Sequence, residues 1–92
     1  MRYTDTPYQQ KQIIDPSGSA GATLPEWMRD SELLLKFYRT MMLIRLFDKR
    51  VVALQRTGQM GTYASCLGQE AIGTAIGSAL QPQDVFVPYY RD

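Results

Sequence analysis

Histidine is absent from the 92 residues and cysteine occurs once. Without an imidazole, no Ser-His or Cys-His nucleophile pair can be assembled within the chain, and zinc would lack its commonest nitrogen ligand. A single thiol cannot close an internal disulfide, so nothing points to an oxidising compartment. An excess of either charge is missing too: ten Lys and Arg face nine Asp and Glu, a formal net charge of +1. That excludes the broad basic face on which nucleic-acid binding by counterion release depends. No apolar run exceeds four residues, and Met41-Met42-Leu43-Ile44, flanked by Arg39 and Arg45, is of that length. A bilayer span needs about 20. Residues 1–20 carry Asp5 and Asp15 and no apolar run beyond Ile13-Ile14, the pattern of neither a secretory signal nor an Arg-rich presequence. A cytoplasmic protein with no nucleic-acid and no membrane partner is expected.

The length allows one domain at most. A chain of this size hides roughly 60–70% of the surface its unfolded form exposes, so any core is thin.

Three zones follow one another. Residues 1–24 are polar and predict an extended or poorly ordered arm. Within it, Ile13-Ile14 leads into Asp15-Pro16-Ser17-Gly18, a turn in which Pro presets φ and Gly tolerates φ > 0. Ser17 to Ala22 offers little to bury and reads as a mobile connection. Residues 25–92 form the folded part.

The second zone predicts a helix from about Asp30 to Thr57, with Asp30 or Ser31 as cap and Gly58 as stop. Leu34, Phe37, Met41, Ile44, Val51 and Leu54 recur at helical spacing, with Asp48 the one polar step near that line. Leu35, Tyr38, Met42 and Leu46 make a second apolar line beside it, while Arg39, Lys49, Arg50 and Arg56 occupy other angles. Two apolar lines on one helix require partners on more than one side, which suits a piece of something larger.

The third zone predicts a helix from about Gln69 to Leu80. Ala71, Ala75 and Ala79 lie on one line and Gly73 and Gly77 on a neighbouring one, a smooth face that lets another helix approach closely. Gly in a helix costs about 1 kcal/mol relative to Ala, so close packing would have to compensate. Gln81-Pro82-Gln83-Asp84 ends the helix, and Val85-Phe86-Val87 reads as a short buried strand delivering Pro88-Tyr89-Tyr90-Arg91-Asp92. In open α/β sheets, ligands bind beyond such carboxyl ends.

Tyr90-Arg91 is the leading candidate for chemistry. A guanidinium fork suits phosphate oxygens and a phenol can add a hydrogen bond or a ring face. The competing reading is a solvated charge beside an interfacial Tyr. Gly68-Gln69-Glu70 either presents polar groups at a helix start or serves only the helix end, where negative charge is favourable by itself. Cys66, just before that helix, is either a thiol activated by the helix dipole or a small buried apolar residue. The turn Gly58-Gln59-Met60-Gly61 carries no Walker or dinucleotide fingerprint and is no phosphate cradle.

The run Leu54-Gln55-Arg56-Thr57-Gly58-Gln59-Met60-Gly61-Thr62-Tyr63-Ala64-Ser65-Cys66-Leu67-Gly68-Gln69-Glu70-Ala71 is more distinctive than any of these. It resembles the N-terminal region of the α subunit of the thiamine-diphosphate-dependent, decarboxylating component of 2-oxo acid dehydrogenase complexes. Phe37-Tyr38-Arg39 through Leu43-Ile44-Arg45-Leu46-Phe47-Asp48 is similar to that family's first long helix. Leu80-Gln81-Pro82-Gln83-Asp84 and Tyr90-Arg91-Asp92 are similar to the segment leading into its cofactor-contacting Tyr-Arg. The likeness covers about residues 31–92, and Ile13 to Gly18 is a looser match.

The resemblance implies an α/β, doubly wound thiamine-diphosphate-binding fold, of which the part present would be a long helix, a loop, a small-residue helix and a short strand. It implies thiamine diphosphate and Mg²⁺ as cofactors, with Tyr90 and Arg91 on the diphosphate side and Tyr89 near the cofactor where many relatives have a polar residue. Tyr63 and Ser65 would lie in the segment approaching the active site. No residue here takes a catalytic role. Implied partners are a β subunit, in a heterotetramer with two copies of each chain, a lipoyl-bearing acyltransferase core and a 2-oxo acid substrate. Pyruvate leads, branched-chain 2-oxo acids come second and acetoin is a third possibility.

The family's Gly-Asp-Gly motif with its later Asn, which holds metal and diphosphate, is absent, as are its active-site His residues. The chain is therefore expected to be a truncated part of a longer subunit, inactive by itself. A non-catalytic helical interaction module, docking through the Gly73/Gly77 face and the two-sided long helix, is the contrasting expectation.

Overall fold

A computed structural model describes residues 12–21 and 23–92. The chain divides into two units, Met1–Asp30 and Ser31–Asp92. The expected arm over residues 1–24 falls partly outside the described residues.

In the first unit, Asp15 organises a tight turn. Its Oδ1 accepts from the backbone N–H groups of Ser17 and Ser19, each at 2.9 Å, and from the Ser17 hydroxyl at 2.6 Å. Gly18 takes φ +85° and donates to the Asp15 carbonyl at 2.9 Å. The result is a small antiparallel bridge between Ile14 and Ala20. This is the Asp-Pro-Ser-Gly turn that the residues call for, and its hydrogen bonds hold the Asp15 carboxyl below its usual range, the Ser17 hydroxyl being the largest cause. A single 3₁₀ turn, Glu26–Arg29, follows Pro25, whose φ of −55° suits a helix start.

The second unit holds two helices, α1 (Ser31–Arg56) and α2 (Glu70–Ala79). At 1.5 Å per residue, α1 is about 39 Å long. Its end is chemically explicit. Gly58 has φ +73°, the Gln59 N–H donates to the Leu54 carbonyl at 2.9 Å, and the Gly58 N–H donates to the Gln55 carbonyl at 3.1 Å. Those two bonds satisfy carbonyls that the last helical turn leaves orphaned, the Schellman arrangement.

Of the two apolar lines on α1, one packs. Val51 is buried and Phe37, Met41, Ile44 and Leu54 are half-buried, whereas Leu35, Tyr38, Met42 and Leu46 are exposed. α2 packs against α1, burying Glu70 and Thr74. The Thr74 hydroxyl oxygen has no hydrogen-bond partner among the described residues. Gly73 and Gly77 have open space where a Cβ would stand, so no helix among the described residues packs on that smooth face.

Beyond α2, Asp84 Oδ2 accepts from the Gln81 N–H at 2.7 Å and closes the expected turn. Val85-Phe86-Val87 does not become a strand. Val85 and Val87 are more than four-fifths exposed, and the segment joins no sheet. A strand is held by a ladder of bonds to a neighbour, and no such ladder forms among the described residues. The described architecture is mostly helical, and its fold class stops there.

Candidate functional site

The site is built from α1, the loop that links it to α2, and the last residues of the chain. Asp48 lies on the packed side of α1 and is 3% exposed. Its carboxylate accepts three hydrogen bonds from the loop: Tyr63 Oη–H to Oδ1 at 2.8 Å, the Cys66 backbone N–H to Oδ1 at 2.8 Å, and Ser65 Oγ–H to Oδ2 at 2.7 Å. These hold its pKa down to about 2, the Ser65 hydroxyl contributing most. Desolvation acts the other way and loses, because only a thin layer of protein surrounds the group. The same carboxylate raises its neighbours. Burial first, then the bond to Asp48, pushes the Tyr63 phenol well above its ordinary value. Cys66 is likewise raised, by burial first and Asp48 second. The helix start does not activate this thiol, and the half-buried alternative describes it better.

Glu70, in the first turn of α2, accepts from Arg45 Nε of α1 at 2.9 Å and from the Gly68 N–H at 3.2 Å. Arg45 is the largest cause of its pKa falling to about 2. So Gly68-Gln69-Glu70 ties the two helices together. Gly68, at φ +90°, makes the reversal into α2 that a Cβ would strain.

Tyr89, Tyr90 and Arg91 sit in a turn closed by Asp92, whose Oδ2 accepts from the Tyr89 N–H at 2.7 Å while its own N–H donates to the Tyr89 carbonyl at 3.1 Å. The Tyr89 and Tyr90 ring centroids are 4.3 Å apart at 58°. The Arg91 guanidinium lies 5.4 Å from the Tyr90 ring centroid, within cation–π range. Its Nη1 donates to the Ser65 carbonyl, so the chain end reaches the loop that Asp48 holds.

Tyr90 and Arg91 line a cavity of about 410 Å³ together with Ile44 and Phe47 of α1, Ile72, Gly73, Ile76 and Gly77 of α2, and Tyr63, Ala64 and Cys66 of the loop. Its walls are mainly apolar, and Arg91 and Asp92 bring one cation and one carboxylate into the lining, a few polar groups in an apolar cleft as in small-molecule sites. Tyr89 does not line it and is exposed.

Residues 38–92 match the family described as Dehydrogenase E1 component. The chain belongs to that family. It is 38% identical to the 2-oxoisovalerate dehydrogenase subunit alpha of Pseudomonas aeruginosa over 96% of its own length and 21% of the relative's. Against the pyruvate dehydrogenase E1 component subunit alpha of Acholeplasma laidlawii it is 44% identical, over 66% of the chain and 18% of the relative. The corresponding protein of Bacillus cereus is 34% identical, over 100% of the chain and 25% of the relative. Pyruvate and branched-chain types are thus both represented, and the chain spans about a quarter or less of these relatives. No solved structure gives a significant match.

Thiamine diphosphate is tested by the donors present. Arg91 spends one N–H on the Ser65 carbonyl and is paired with no carboxylate among the described residues, leaving donors for an anion. That part fits. The metal does not find its ligands here, since no group of three His, Cys, Asp or Glu is gathered among the described residues. No helix among them is long and apolar enough to cross a membrane.

The residue that sequence reading undervalued is Asp48. Its signal was present: an acid interrupting an apolar line at the packed register, which demands buried donors. Nothing in the spacing names Tyr63, Ser65 and the Cys66 N–H as those donors.

Proposed function

We propose that this chain is part of the α subunit of a thiamine-diphosphate-dependent 2-oxo acid dehydrogenase, folded in the whole subunit as a doubly wound α/β domain. The observation that carries the reading is Arg91, a guanidinium with spare donors at the edge of an apolar cavity, in the segment matched to the family. Arg91 meets the cofactor's diphosphate, Tyr90 adds its ring face and hydroxyl beside it, and Tyr89 braces Tyr90. When bound, the cofactor supplies the electron sink that lets CO₂ leave a 2-oxo acid. This chain's residues bind and orient its anionic end. A β subunit closes the other side of the site in a two-plus-two assembly, Mg²⁺ is held by residues that this chain lacks, and the acyl group passes to a lipoyl-bearing acyltransferase.

Pyruvate is the first substrate reading, supported by the 44% identity to the Acholeplasma protein. Branched-chain 2-oxo acids are the second, supported by the 38% identity to the Pseudomonas one across nearly the whole chain. A graft tests both. Residues 31–92 replace their counterpart in the Pseudomonas α subunit, which is assembled with its β subunit and assayed on pyruvate and 2-oxoisovalerate. Retained decarboxylation that falls at least about tenfold with Arg91→Ala supports the reading. An active graft indifferent to Arg91→Ala sinks it.

A further inference from the structure

The peptide unit between Ser65 and Cys66 is gripped at both ends. Its N–H donates to Asp48 Oδ1 at 2.8 Å, and its carbonyl accepts from Arg91 Nη1. The bond is trans, and a trans peptide is planar with N–H and C=O on opposite sides. A group that fastens the N–H therefore sets where the carbonyl points. Asp48 is well placed to do so, because it stands on a 26-residue helix while all its partners lie in the loop. Its bonds to the Tyr63 and Ser65 hydroxyls hold the loop on the N-terminal side of that peptide.

We propose that Asp48 is a positioning residue for Arg91, acting through the Ser65–Cys66 peptide to hold the guanidinium at the edge of the cavity in the orientation that receives an anion. Asp48 and Arg91 meet at this peptide: the carboxylate takes the Cys66 N–H and the Ser65 hydroxyl, and the guanidinium takes the Ser65 carbonyl. A charged acceptor on the N–H polarises the peptide and strengthens its carbonyl as an acceptor. An arginine immobilised before its ligand arrives loses less rotamer freedom on binding. The inference rests on the reading of Arg91 as the diphosphate contact, and the two are separable by experiment.

The experiment uses the 92-residue chain labelled with ¹⁵N. The Arg91 Nη signals are identified by their loss in Arg91→Lys. In the parent, the bond to the Ser65 carbonyl slows rotation of the guanidinium and keeps the two Nη signals apart. In Asp48→Asn they merge, and affinity for inorganic diphosphate, followed by chemical shift, falls about fivefold, since a neutral acceptor replaces a charged one. Val51→Ala removes buried atoms from the same helix and leaves both readouts at parent values, which a purely structural role for Asp48 would not distinguish. Asp48→Asn with separate Nη signals and parent affinity overturns the inference. Should circular dichroism show that variant unfolded, Asp48→Ser, which likewise withdraws the charged acceptor from the Cys66 N–H, takes its place with the same expected and overturning results. An Arg91→Lys chain that binds inorganic diphosphate as tightly as the parent refutes the phosphate role of Arg91, and the Nη comparison then decides the positioning role alone.

Discussion

A carboxylate on the packed side of a helix is tolerated only when donors surround it, and Asp48 has three. Folding lowers its pKa from the ordinary 3.8 to about 2, and that of Glu70 from 4.5 to about 2. Both shifts favour the folded chain at every pH above the ordinary values. That contribution is lost as pH falls from about 4.5 toward about 2. Acid unfolding followed by circular dichroism should therefore fall in this window. Because the Ser65 hydroxyl is the leading cause at Asp48, Ser65→Ala should move the Asp48 carboxyl resonance titration back toward 3.8 and raise the unfolding midpoint. Cys66 gives a second prediction at this scale. Burial and Asp48 disfavour its thiolate, so alkylation by iodoacetamide at pH 8 should be slower than for free cysteine. Asp48→Asn should recover only part of the difference, since burial is the larger cause.

At the scale of the elements, both helices stand within a residue or so of the expected spans: Ser31–Arg56 against 30–57, and Glu70–Ala79 against 69–80. Their signals are local, namely apolar spacing, Gly58 as a left-handed stop and Pro82 after the second end. The short strand failed because strand formation is not local. Val85-Phe86-Val87 has the right residues, and nothing among the described residues pairs with it. The glycines separate two kinds of requirement. Gly58→Ala should destabilise the chain by about 1–2 kcal/mol, because φ +73° places a Cβ against backbone. Gly73→Ala should stabilise it by about 1 kcal/mol, since a Cβ there meets nothing within 4 Å. Thermal denaturation of the two variants checks both signs. A destabilising Gly73→Ala would show that the face is already packed in solution.

For the molecule as a whole, the dominant quantity is uncovered apolar surface. Val51 is the only buried apolar side chain among the described residues, while Phe47, Leu67 and Ile72 are each about three-fifths exposed and Leu43 about two-thirds. Contiguous exposed apolar surface marks interaction faces and drives association. The 92-residue chain should sediment as a concentration-dependent self-associating species and exchange its amide hydrogens quickly. A monomer with slow exchange throughout would contradict this. Calorimetry with thiamine diphosphate and Mg²⁺ should show no micromolar site, because Arg91 supplies one charge and the described residues gather no metal ligands. A micromolar isotherm would mean that these residues suffice alone.

Helix positions, helix ends and the Asp15 turn were determined by sequence, because each depends on residues within about one helical turn of one another. The tertiary structure decided which of the two apolar lines on α1 is covered, what Asp48 is for and what Arg91 holds. Those outcomes rest on contacts spanning 15 to 26 residues, and on the direction in which one peptide plane faces. Side-chain periodicity carries no information about that direction, so only the closed loop between the helices could set it.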